Sequence, residues 1–211
     1  MSNNNTNELT NTLTNILTNI LPNKVNTSNK ILNKINLQEY ENFIKYINNI
    51  LGSYSMKLNI IFIKEPTLNF IFEIIKIGEP NNLIKMSSIS GVFMYQKKND
   101  IFLIEINSKT NPKFERNGLN LFLRAIIMKV FHILFFEKLK KKFYIFSIIA
   151  NPISNKTLTK YFIINDTKSV KENNQNVHTV IFLDPSINQI PADKIIYKFL
   201  STIQTKSNII F

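Results

Sequence analysis

The stretch that decides the fold runs from Ile101 to Ile163. It opens with an apolar run, IFLIEIN (101–107), and passes into a basic turn, PKFERNGLN (112–120), which holds Gly118. A long apolar segment follows, LNLFLRAIIMKVFHILFFEKL (119–139), then a β-type run, KFYIFSIIA (142–150), and a polar elbow, NPISNKTLTKYF (151–162). The expected order is strand, turn, helix, strand, short helix. Glycine at a helix start lets the backbone approach a ligand, and the free N–H groups of a first helical turn favour anions. Lys113 and Arg116 stand just before Gly118, so the turn is a candidate site for a phosphate-bearing cofactor.

Upstream, Leu37 to Leu51 carries an apolar stripe of Tyr40, Phe43, Ile44, Ile47 and Leu51, with Gly52 placed to end the helix. Strands are expected over Lys57–Ile63, Asn69–Ile77, Ile89–Gln96 and Ile101–Asn107, the last two joined by a polar hairpin loop, Lys97 to Asp100. Downstream, Asp166 to Val177 is polar and reads as a loop, His178 to Asp184 as a strand, and Ala192 to Ile203 as a helix after Pro191. The class is α/β, with several antiparallel strands and one pair joined by a crossover helix. Residues 1–36 are Asn/Thr-rich and expected to be a disordered tail, although Leu9, Leu13, Ile16, Leu17, Ile20 and Leu21 fall at helical spacing. That leaves residues 37–211 as one domain.

Composition narrows the partners. The chain has 211 residues, 44% of them hydrophobic, with 17 Phe to fill a core. Without Cys there are no disulfides and no Cys-based zinc site, which fits a reducing, cytoplasmic setting. Two His, His132 and His178, make a His-rich metal site a poor expectation. The net charge of +12 suits polyanions: nucleic acid, an anionic membrane surface or a phosphorylated cofactor. A Lys-, Asn- and Ile-rich composition produces the same balance without any binding role. The N-terminus, MSNNNTNELTNTL, has no signal-peptide pattern. The most apolar window, Leu121 to Phe136, contains Arg124, Lys129 and His132 and falls short of the roughly 18 uncharged residues of a membrane span, so a soluble protein is expected.

The run ERNGLNLFL (115–123), with the elbow Asn151-Pro152-Ile153-Ser154, resembles the core of GNAT-type N-acetyltransferases. In that family a Gln or Arg, two residues, a Gly, one residue and a Gly or Ala begin a helix after a central strand. The resemblance extends over about Ile89 to Ile163. It implies a mixed, mostly antiparallel sheet with a splayed central strand pair and flanking helices, binding acetyl-coenzyme A and transferring acetyl to an amine. The cofactor-binding residues it implies are Ile106, Arg116, Asn117, Gly118, Leu119, Asn120 and Asn151. Glu115 stands where the family has Gln or Arg, and Asn120 where it has a second small residue. The family's frequent general-acid Tyr, four residues beyond the small elbow residue Ser154, is replaced by Leu158.

Transfer to an amine needs a base to take the ammonium proton. Glu105 is the catalytic candidate, because a carboxylate on an apolar strand is costly to bury unless paired. The plainer alternative is that Glu105 faces solvent while Ile104 and Ile106 face the core. Tyr144 and Tyr161 are the candidate proton donors, against simple packing of their rings. The cluster Lys138, Lys140, Lys141 and Lys142 offsets a helix dipole or meets phosphate. The acceptor stays open among small amines, protein lysines, N-termini and bases. A second function class is a catalytically inactive module that uses the basic surface for nucleic acid or a protein partner.

Overall fold

The computed structural model describes residues 41–63, 69–78, 82–96, 101–133, 142–149, 152–172 and 176–205. In chain order they form α1 (Glu41–Gly52), β1 (Met56–Ile63), β2 (Asn69–Ile77), β3 (Leu83–Gln96) and β4 (Ile101–Thr110). After a 3₁₀ turn (Pro112–Phe114) come α2 (Leu119–Phe131), β5 (Lys142–Ile149), α3 (Pro152–Tyr161), β6 (Asp166–Glu172), β7 (Asn176–Leu183) and α4 (Gln189–Thr205). The strands join in one seven-stranded sheet ordered β1-β2-β3-β4-β5-β7-β6. Every neighbouring pair is antiparallel except β4 and β5. A parallel pair cannot be closed by a tight turn, so the chain crosses between β4 and β5 through α2.

Side-chain alternation puts Phe70, Phe72, Phe93, Ile104 and Ile106 in the core, and α2 lies over them. The Phe131 ring meets Phe70, Phe72 and Phe93 at centroid distances of 4.9, 5.7 and 5.1 Å. Opposite that contact, α4 covers α2, with Phe122 stacked on Phe199 at 4.2 Å. A helix covered on two sides is apolar nearly all round. That explains the sequence of α2, in which even Arg124 is buried. Among the described residues no helix is long and apolar enough to cross a membrane.

The sheet ends at β1 on one side, where an open edge would present unpaired backbone groups. Helix α1 answers this with one side chain. Asn48 Nδ2 donates to the Leu58 carbonyl at 3.1 Å, and its Oδ1 accepts from the Leu58 N–H at 2.7 Å. Asn188, fully buried, acts similarly before α4: it accepts from Ile163 N at 2.8 Å and donates to the Ile163 and Asp184 carbonyls.

Several boundaries differ from expectation, and β4 runs on to Thr110, three residues past Asn107. The polar run Asp166 to Val177, expected as a loop, forms β6 and the start of β7. β6 is an edge strand whose residues from Asp166 to Ser169 are exposed, so backbone pairing with β7 suffices without an apolar face. β3 begins at Leu83, well before Ile89, because Met86 is buried between polar neighbours that hide the alternation. Helix α4 begins at Gln189 and takes Pro191 into its first turn, where a missing N–H costs nothing. Residues 1–40 and the connection Lys97 to Asp100 lie outside the described residues.

Glu73 on β2 is a buried carboxylate, 6% exposed. Asn59 Nδ2 donates to it at 3.0 Å, and Lys85 Nζ lies 2.7 Å from its Oε2. Burial pushes the carboxyl up, but the hydrogen bonds from Lys85 and Asn59 and the Lys85 charge together outweigh it. The group is held below the ordinary glutamate value. A folded-state value below the unfolded one contributes stability that is present at neutral pH and lost as pH falls through the folded value. Urea midpoints of wild type and Glu73→Gln should therefore differ at pH 7 and converge on acidification; a gap that stays constant with pH contradicts this. Asn48→Ala should cost about 1–3 kcal/mol, because it strands the buried polar groups of Leu58. Denaturant unfolding measures that loss.

Candidate functional site

β4 and β5 pair from Ile101↔Lys142 as far as Glu105↔Phe146 and no further. Beyond that point β4 stays with β3, from Ile106↔Gly91 to Thr110↔Ser87. β5 stays with β7, from Ser147↔Ile181 to Ile149↔Thr179. Each strand is held by its outer neighbour, so the two part and leave a gap in the middle of the sheet.

At the open end of the gap the chain leaves β4 and enters α2. Asn111 caps the 3₁₀ turn, its side chain accepting from Lys113 N at 3.1 Å, while Phe114 anchors the turn in the core. Arg116 and Gly118 then take the left-handed backbone conformation, with φ of 65° and 76°. The first bond into the helix runs from Phe122 N to the Gly118 carbonyl at 2.9 Å. Among the described residues, the N–H groups of Asn117, Gly118, Leu119 and Asn120 meet no backbone acceptor. A Cβ built on Gly118 would meet only Phe199 Cδ2, at 4.0 Å, so the turn is open on its outer side. Free amides, a helix N-terminus and the exposed Arg116 and Lys113 make a surface suited to an anion such as a pyrophosphate.

The fold is GNAT-like. The mixed sheet, the parallel central pair that separates midway and the helix start at the open end are the arrangement that the resemblance implied. No family model matches the chain, and no curated protein matches it. Among solved structures, it is similar to nourseothricin acetyltransferase (TM-score 0.37, 9% identity, 62% of this chain and 87% of that one). A second is a mutant of the AtaT toxin bound to the C-terminus of the antitoxin AtaR and acetyl-CoA (TM-score 0.40, 10% identity, 63% and 97%). A third is the N-terminal domain of ribosomal-protein-alanine acetyltransferase from Clostridium acetobutylicum (TM-score 0.33, 14% identity, 60% and 98%).

Within the GNAT-like frame the expected site residues separate into groups. Arg116, Asn117 and Gly118 line the open turn, whereas the Leu119 side chain is buried in the core. Asn120 is half-buried and turned along α2, where its Oδ1 accepts from Arg124 Nε at 2.9 Å. Ile106 is the first residue of β4 past the last β4–β5 pair, with its side chain in the core. The Glu105 backbone is the branch point itself, and its side chain lies outside what the structure describes. Tyr144, half-buried, is level with Leu103, shortly before the branch. Tyr161 ends α3, roughly 14 Å along the helix axis from Pro152. Its ring packs against the core with Lys160 Nζ 5.3 Å from the centroid. Asn151 lies outside the described residues, and Leu158 is buried at 3% exposure. Among the described residues no group of His, Asp and Glu could hold a metal.

One group was not anticipated from sequence. Arg124 is 5% exposed and reaches across the gap, donating from Nη1 to Ser147 Oγ at 3.3 Å and from Nη2 to Ser108 Oγ at 3.2 Å. Burial pushes its guanidinium down to about 10, still well above neutrality, so it remains a cation. The available signal was a lone arginine in an otherwise apolar helix segment.

Gly118→Ala should destabilise the protein by about 1–2 kcal/mol through backbone strain, since the space for a methyl group exists. Gly118→Asn should cost less, because Asn tolerates the left-handed region. Equal losses for the two in denaturant unfolding would mean that sterics, not φ, set the cost.

Proposed function

We propose that the protein binds acetyl-coenzyme A and transfers the acetyl group to an amine. The carrying observation is that the open, amide-lined turn stands at the same end of the sheet where β4 and β5 part. In this reading the N–H groups from Arg116 to Asn120 hold the pyrophosphate, and the pantetheine arm enters between the strands. Bound acetyl-coenzyme A supplies an activated acyl thioester. In this reading the main chain of β4 beyond Ile106, past the last pairing with β5, polarises a carbonyl in the gap. Glu105 at the branch takes the proton of the attacking amine. Tyr144, near the branch by register, returns a proton to the leaving thiolate; Tyr161 is the second candidate for that step. Asn151 is assigned to the elbow beside the pantetheine arm.

Coenzyme A and acetyl-coenzyme A should each raise the melting temperature by several degrees. Ligand at about 100 times its dissociation constant adds about 2.7 kcal/mol of stability. No shift at millimolar ligand contradicts the proposal. Glu105→Gln should keep that shift while lowering transfer about 10²–10⁴-fold.

A second reading is favoured by one observation. Leu158, at the position of the family's tyrosine, is committed to the core. A module that binds without catalysis, using its basic surface for nucleic acid, would show the coenzyme A shift without transfer. Its nucleic-acid affinity would fall steeply with salt.

A further inference from the structure

A buried cation normally finds a carboxylate. Among the described residues Arg124 does not: its three hydrogen bonds there end on neutral groups, namely Asn120 Oδ1, Ser147 Oγ and Ser108 Oγ. Among the described side chains no carboxylate meets it. A guanidinium carries five N–H donors, two on each terminal nitrogen and one on Nε. With one bond from each nitrogen to the described residues, Nη1 and Nη2 each have a further N–H to give. Two such donors form the fork that a carboxylate accepts bidentately.

The position of this fork is specific. Ser147 is the first β5 residue past the last β4–β5 pair and is 3% exposed, at the floor of the gap. Ser108, on β4, is exposed at its mouth. Arg124 spans from one to the other on the α2 side of the sheet, the side that also carries the turn at Gly118. Six residues of helix put it roughly 9 Å along the axis from that turn. A phosphate held on the turn amides is therefore a different group from one that reaches Arg124. A planar carboxylate at the end of a thin chain suits an opening between two strands.

We propose that Arg124 receives a carboxylate carried on the acyl group of the donor. Among the acyl donors of the coenzyme A site, a dicarboxylic acyl thioester, of the succinyl or malonyl kind, is then bound more tightly than acetyl-coenzyme A, which the site still accepts. This rests on the coenzyme A site proposed above and assigns its acyl class. Ser108 and Ser147 are the positioning residues that aim the guanidinium into the gap. A purely structural Arg124, serving as a strut between the strands, would support stability without discriminating between donors.

The test compares the full chain with coenzyme A, acetyl-coenzyme A, succinyl-coenzyme A and free succinate, by thermal shift and calorimetry. Succinyl-coenzyme A should bind about tenfold more tightly than acetyl-coenzyme A, the gain expected of one charged hydrogen-bonded pair. In Arg124→Gln that preference should fall to within about twofold, while coenzyme A itself binds as before. Arg124→Lys keeps a cation and should keep part of the preference. If Arg124→Gln does not fold, the wild-type comparison and the lysine variant still decide. Equal binding of the acetyl and succinyl donors overturns this inference and leaves the cofactor reading standing. Failure of coenzyme A to bind overturns both. Binding of free succinate, with no gain on the thioester, moves the carboxylate to the acceptor and overturns the donor assignment.

Discussion

Everything about the candidate site depends on how α2 is pinned between the sheet and α4. The Phe131 ring, set among Phe70, Phe72 and Phe93, fixes the far end of the helix against the sheet. Phe122 stacked on Phe199 fixes the near end. With both ends held, the N-terminus of α2 has one place to be, beside the gap between β4 and β5. The amides of the turn are thus aimed largely by apolar packing several residues away.

The gap has a similarly simple cause. Two parallel strands that each have an antiparallel partner on the outer side can follow those partners apart. Past Glu105 and Phe146 the two strands no longer pair with each other, and burying backbone groups unpaired is costly. Arg124 supplies donors at this place, reaching the Ser147 and Ser108 hydroxyls. Asn120, where the family carries a small residue, has its side chain occupied in holding Arg124. Asn120 and Arg124 are thus structurally coupled, one helical turn apart on α2.

Much of the fold was legible in the sequence because its elements announce themselves by period. β2 runs from Asn69 to Ile77, as its apolar run predicts, and the turn at Gly118 is marked by a glycine that the left-handed φ favours. What escaped was set by tertiary context. β6 has no apolar face to betray it, since its order comes from pairing with β7. Arg124 looked like a charge that argues against a membrane span, because nothing local says that Ser147, 23 positions on, will stand beneath it. Asn48 and Asn188 likewise look like ordinary polar residues; their importance lies in the backbone groups they satisfy. Periodicity reports which face is buried, and it is silent on what a buried polar atom touches.

The Phe122–Phe199 stack also sets a timetable for synthesis. The partners are separated by most of the second half of the chain, so α2 emerges long before α4 can cover it. At about 5–20 residues per second, the outer apolar side of α2 waits roughly four to fifteen seconds for its cover. During that interval the sheet can shield only one side of the helix. A nascent chain of this design presents a sticky surface to its surroundings until the last helix arrives, and slow translation of the β6–β7 region lengthens the exposure.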